Sequence, residues 1–90
     1  MAVNSRAVSV GVAATRLDTE GETDSLAGSA WAVHNNGSGT IYVGAAGVTT
    51  ATGFPLAAGT SMSCELFGNE AVYGVVASGT VEARVLEVGI

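Results

Sequence analysis

The chain has 90 residues, 48% of them hydrophobic, a net charge of −5, and only Arg6, Arg16 and Arg84 as cations. That length makes one small domain rather than two. Without a basic stripe, the chain lacks the complement that nucleic-acid phosphates or an anionic membrane surface require.

Folding a chain of this mass buries roughly 60% of its unfolded surface, a thin margin that favours support from a partner surface. Cys64 is the single cysteine, so no disulfide closes within the chain, and it reads as a small buried hydrophobe rather than a reactive thiol. The first residues lack the apolar run of a secretory signal, and no stretch approaches the length of a membrane helix. The expectation is a protein made in the cytoplasm without Sec export.

Residues 1–6 (Met1, Ala2, Val3, Asn4, Ser5, Arg6) read as an N-terminal arm, and 7–90 as a single β domain. From Ala7 to Leu17, Val8, Val10 and Val12 alternate with Ser9 and Gly11. Period two and β-branching at every second place predict a strand and argue against a helix. Asp18, Glu20, Glu22 and Asp24 then fall at alternate positions. Several carboxylate oxygens suit Ca²⁺, but Gly21 is the fourth residue from Asp18 where an EF-hand has its glycine sixth, so the stretch reads as a solvated acidic loop.

Gly28 to Asn35 predicts a second strand, with Trp31 and Val33 on one face and Ala30, Ala32 and His34 on the other. The bulk of Trp31 makes it the expected centre of the core or of a subunit contact. His34, the single histidine, reads as a surface or turn residue, because a base needs a partner in reach and a metal needs more ligands. Asn36-Gly37 is the strongest short hairpin signal in the chain. Thr40 to Val43 is its expected mate, with Ile41 and Val43 inward.

A loop rich in Gly, Ala and Thr follows. It contains Pro55, which cannot donate to a ladder and so marks an edge or a crossing. Phe54 and Leu56 flank it and are expected to plug the end of a core. Thr60 to Phe67 alternates cleanly, with Met62, Cys64 and Leu66 inward. Ala71 to Ala77 is a nearly continuous apolar strand, and Thr80 to Val88 places Val81, Ala83 and Val85 on one face. Leu86 breaks that pattern and suggests a bulge or a second buried face.

These elements predict an all-β fold, a single antiparallel β-sandwich or small barrel of about six to seven strands. The expected buried set is Val10, Val12, Trp31, Val33, Ile41, Val43, Leu66, Val72, Val81 and Val85.

Reactive constellations do not emerge. Ser29, Ser38 and Ser78 lack the neighbours of a nucleophile elbow, a chain without lysine has no P-loop, and one His with one Cys cannot build a usual zinc site. Glu65, Glu70, Glu82 and Glu87 sit at turns or on polar strand faces, where solvent explains them better than glycosidase chemistry. No enzyme, cofactor or metal is expected.

One resemblance covers most of the chain. Val8 to Leu17, Asn36-Gly37, Ile41-Tyr42-Val43-Gly44, Val48-Thr49-Thr50, Gly53-Phe54-Pro55-Leu56, Gly59, Ala71 to Thr80 and Val85-Leu86-Glu87 carry it. The sequence resembles small β-rich virion proteins of tailed phages, of the capsid decoration (minor capsid) or head-fibre type. The acidic loop lies outside it.

The resemblance implies a structural protein on the outer capsid surface, with the major capsid protein as partner and no catalytic or ligand residues to carry over. By analogy it implies a homo-oligomer, a trimer first. The contact residues that the sequence itself suggests for such a role are the arm Met1 to Arg6, which precedes the alternation and can add as a free extended segment to a neighbour's sheet edge, and the Phe54, Pro55 and Leu56 loop, whose large apolar residues stand in an otherwise small-residue stretch. On this expectation, removing residues 1–6 leaves the fold intact and the acidic loop faces outward. The alternative is a carbohydrate- or host-surface-binding β module of a head or tail fibre, although Trp31, Tyr42 and Tyr73 lie within strands and not in a loop cluster that could stack a sugar.

Overall fold

A computed structural model describes residues 2–17, 29–66 and 72–89. Among them lie eight strands and no helix: β1 (Ala2–Val10), β2 (Thr15–Arg16), β3 (Ser29–Asn35), β4 (Ile41–Gly44), β5 (Phe54–Leu56), β6 (Ser61–Leu66), β7 (Tyr73–Val75) and β8 (Val81–Gly89). They form two four-stranded sheets, in the orders β1-β8-β3-β6 and β2-β7-β4-β5, and every pairing is antiparallel. The chain is an all-β sandwich.

The pairing is nested. β1 meets β8, β2 meets β7, β3 meets β6 and β4 meets β5, while β3 also takes β8 and β4 also takes β7. That is one long antiparallel hairpin rolled up on itself, the jelly-roll topology.

The core follows from alternation along each strand. Val8 and Val10 of β1, Trp31 and Val33 of β3, and Val81, Ala83 and Val85 of β8 pack against Ile41 and Val43 of β4, Leu56 of β5, Leu17 and Val76. Trp31 lies at the centre, 1% exposed, and its indole N–H donates to the Leu17 carbonyl at 3.5 Å. Gly74 faces inward, where a Cβ would meet Ile41 and Leu17 at 3.0 Å. The strands of the first sheet are longer than those of the second. On the inward parity of β1 and β8, Arg6 and Glu87 carry charge past the core valines, Arg6 exposed and Glu87 half-buried.

Several expectations are corrected. The Asn36-Gly37 turn does not close a hairpin, because β3 and β4 belong to different sheets and the turn carries the chain across the sandwich. It is not a primed turn either, since positive φ among the described residues occurs only at Gly59 and Gly79. The stretch from Ala7 to Leu17 is two strands, because the chain leaves the first sheet after Val10, and Gly11 accepts from the Val76 N–H at 3.0 Å. Val12 therefore falls on the connection and is 64% exposed, not core.

Leu86 marks no bulge. The β1–β8 register runs unbroken from Ala2↔Gly89 to Val10↔Val81, and Leu86 points outward, 44% exposed. Val72 is only partly buried. The side chains of Cys64 and Leu66, and the acidic loop 18–24, lie outside the described residues. The strand count exceeds six to seven because β2 and β5 are too short for a periodicity to register.

The arm also differs from expectation. Ala2 to Arg6 is the first half of β1, paired with Val85 to Gly89. A free segment would leave five residues of β8 without a neighbour on that side, so pairing wins.

Two outcomes follow for stability. Trp31→Ala is expected to cost about 3–5 kcal/mol in a denaturant titration, as for a large ring removed from a packed centre. Deleting residues 1–6 is expected to lower stability by about 2–4 kcal/mol, counting net backbone hydrogen bonds near 1 kcal/mol each, where a free arm would leave the denaturation midpoint unchanged.

Candidate functional site

Neither sequence-suggested contact region forms a reactive pocket. Ala2 to Arg6 lies on the outer edge strand of the first sheet, and Phe54, Pro55 and Leu56 form β5, the outer edge strand of the second. Pro55 sits opposite Tyr42 on that edge, where a missing N–H costs no ladder bond. The three residues of β5 divide. Leu56, opposite Ile41, is 3% exposed and belongs to the core, so it offers nothing to a partner. Phe54, opposite Val43, lies on the edge strand of the second sheet and is 61% exposed. The expected plug is Leu56 alone. Met1 lies outside the described residues.

The outward face of the first sheet holds the chain's described polar cluster. His34 Nδ1 and Ser61 Oγ share a hydrogen bond at 2.7 Å across the β3–β6 pair. On the other side of β3, Arg84 stands opposite His34. The Arg84 Nε donates to Glu82 at 3.1 Å, and the Asn36 Nδ2 donates to the same carboxylate at 3.2 Å. These partners, the Arg84 hydrogen bond first, hold the Glu82 carboxyl below its ordinary value. Small residues surround the cluster, with Ala32, Ser63 and Ser5 in the row that contains Leu86. Among the described residues no group of three His, Cys, Asp or Glu side chains could hold a metal ion.

The outward face of the second sheet is covered by its own loop. Residues 45–53 fold back from the β4–β5 hairpin so that Val48 packs on Gly44 and Gly53. A Cβ at Gly53 would stand 2.6 Å from Tyr42 Cβ, so only glycine lets the loop lie this close. Thr49 fastens it, accepting from the Gly53 and Thr52 N–H groups at 2.8 and 3.2 Å. Beside this loop an open cleft of about 310 Å³ runs between Val12, Ala14, Thr49, Thr50 and Val75 to Ala77. Its lining is aliphatic with threonine hydroxyls and carries neither charge nor ring.

The side chain that sequence reasoning missed is Asn35, the one buried polar residue among those described, at 0% exposure. Its Nδ2 donates to the Gly39 and Leu56 carbonyls at 2.7 and 2.8 Å, and its Oδ1 accepts from the Gly37 N–H at 3.0 Å. Its main chain donates to Thr60 and accepts from Gly59, both at 2.9 Å. The signal was present: an asparagine two residues before a glycine, at a strand end, is placed to accept from that glycine's N–H.

Comparison with known proteins adds no relative: no family model, curated protein or solved structure matches the chain.

Asn35→Ala is expected to cost about 2–3 kcal/mol in a denaturant titration, because it orphans the buried Leu56 carbonyl and the part-buried Gly37 N–H and Gly39 carbonyl; a loss below about 1 kcal/mol would show that water reaches them. For Glu82, a folded value below the unfolded one means its stabilising contribution is complete above the unfolded carboxylate range. It is lost as pH falls through the lower folded value. An NMR titration should therefore place the Glu82 midpoint below that of an unperturbed glutamate, and Arg84→Ala should raise it.

Proposed function

We propose that this chain is a structural virion protein of a tailed bacteriophage, a capsid decoration (minor capsid) protein that binds the outer surface of the head and stabilises it. The observation that carries this reading is the nested pairing of eight strands into a rolled double sheet, an architecture that viral capsid domains use. The resemblance of the sequence to small phage virion proteins points the same way. Fold analogy alone does not make function, so the contact surface is argued from the sheet edges.

The nine-residue β1 is the outermost strand of the first sheet, it contains no proline, and its side away from β8 has no strand beside it among the described residues. Such an edge accepts an extended segment from a neighbour through main-chain hydrogen bonds. This reverses the expected roles: the chain supplies the edge, and the major capsid protein supplies the added segment. Phe54 provides a second, apolar contact. With few cations, all of them arginine, binding proceeds by surface matching and not by charge steering. The homo-oligomer, a trimer first, and the location on the virion belong to the same proposal.

A carbohydrate-binding module is the second reading, favoured by the same topology, which lectin domains share. The described cleft carries no aromatic ring to stack a sugar, which weighs against it.

The test mixes purified chain with capsids that lack it and sediments the particles. Saturable co-sedimentation and a raised capsid melting temperature are expected. Phe54→Ser is expected to weaken binding at least tenfold, about 1.4 kcal/mol, while leaving the fold intact because the ring is already exposed. A chain that stays in the supernatant at every concentration overturns the proposal, and binding on a glycan array would move it to the second reading.

A further inference from the structure

Asn36 and Gly37 have a chemistry of their own that virion assembly does not use. In a flexible chain, the amide nitrogen of a glycine following asparagine attacks the asparagine side-chain carbonyl carbon, since glycine has no Cβ to obstruct the approach. The new N–C bond closes a five-membered succinimide as the bond to the side-chain nitrogen breaks and ammonia leaves. Water then opens the ring at either carbonyl, leaving aspartate or isoaspartate. Two conditions must be met: the glycine nitrogen must give up its proton, and the asparagine side chain must swing over it.

The fold denies both. The Gly37 N–H is held by the buried Asn35 Oδ1 at 3.0 Å. The Asn36 side chain is drawn the other way, its Nδ2 donating to Glu82 at 3.2 Å, and its main-chain N–H is fixed on the Glu82 carbonyl at 2.9 Å. Gly37 is also wedged against β8, where even a Cβ would stand 2.6 Å from Val81 Cγ1. Nucleophile and electrophile are adjacent in sequence, Asn36 is exposed to water, and each is tied to a different partner.

We propose that Asn36-Gly37 is a latent deamidation site, closed in the folded chain by Asn35, Glu82 and Val81 and opened when the β3–β4 crossing comes apart. The reaction also resists reversal by refolding. Aspartate at 36 replaces the donor on Glu82 with a second carboxylate, and like charges at that spacing repel. Isoaspartate adds a main-chain methylene between Asn35 and Gly37, the pair whose spacing sets the Asn35 hydrogen bond. The site therefore records past opening of this end of the sandwich, and native-state conversion should follow the free energy of local opening.

The experiment incubates the full chain at mildly alkaline pH, native and in denaturant, beside a synthetic peptide covering residues 33–40. Tandem mass spectrometry of the digested protein localises the replacement of NH₂ by OH at position 36. The expected result is that peptide and denatured chain convert alike and the native chain at least about tenfold more slowly, as for a site that reacts only from an opened state. Val81→Ala, which loosens the wedge without touching any of the three hydrogen bonds, should move the native rate toward that of the peptide, and Asn35→Ala should move it further. If the native chain converts as fast as the peptide, the proposal is wrong. It is equally wrong if Val81→Ala lowers stability yet leaves the native rate unchanged. Should Asn35→Ala fail to fold, the native-against-denatured comparison in the unaltered chain still decides.

Discussion

The structure depends on how one end of the sandwich satisfies its main chain. In a rolled hairpin the connections cross between sheets, and of those joining the described strands only β4 to β5 stays within one. Each crossing carries N–H and C=O groups out of a ladder that would have paired them, and such groups are costly when buried. Asn35 answers this at the point where the connections 36–40 and 57–60 meet β5. It takes the Gly37 N–H and gives to Gly39 and Leu56, while its main chain holds Gly59 and Thr60. A polar side chain satisfied at every position specifies one arrangement, where an apolar one would only fill volume.

How far the sequence revealed this depends on the range of each signal. Alternation is local, and it identified the inward faces of β3, β4 and β8 correctly, because Trp31, Val33, Ile41, Val43, Val81 and Val85 each sit in a strand long enough to show period two. Proline chemistry is local too, and Pro55 stands on an edge strand as its missing N–H requires. Pairing is not local. Asn36-Gly37 announces a reversal of the chain but not which sheet receives it, and the nearest-neighbour assumption joined β3 to β4 when β3 takes β6 and β8.

Where strands stop was equally hard to read. Val12 continues the alternation of Val8 and Val10, yet the chain has already turned away at Gly11 to meet Val76. Residues 2–6 lack an apolar pattern, yet they pair with β8 through main-chain bonds that need no side-chain signal. Asn35 was overlooked for a related reason. Its three side-chain partners lie two, four and twenty-one positions away, and only the first is visible in a short motif.

The two sheets divide the surface between them, and this division bears on function. The second sheet covers its own outward face with the 45–53 loop, so Val75 is buried there although it points away from the core. The described side chains on the outward face of the first sheet are small residues, the His34–Ser61 and Glu82–Arg84 pairs, and the exposed Leu86. Among its described side chains, Arg84 and Glu82 pair with each other, so these two give the face little with which to attract a charged partner from a distance. What it presents among the described residues is a weakly polar surface beside a long strand, β1, with no strand on its outer side. A partner that fits such a surface must itself be extended or flat and gain its affinity from many small contacts. The proposed shell partner fits that description better than a small ligand would, because a small ligand needs concavity and a few convergent polar groups, and the described cleft offers only aliphatic walls and two threonines.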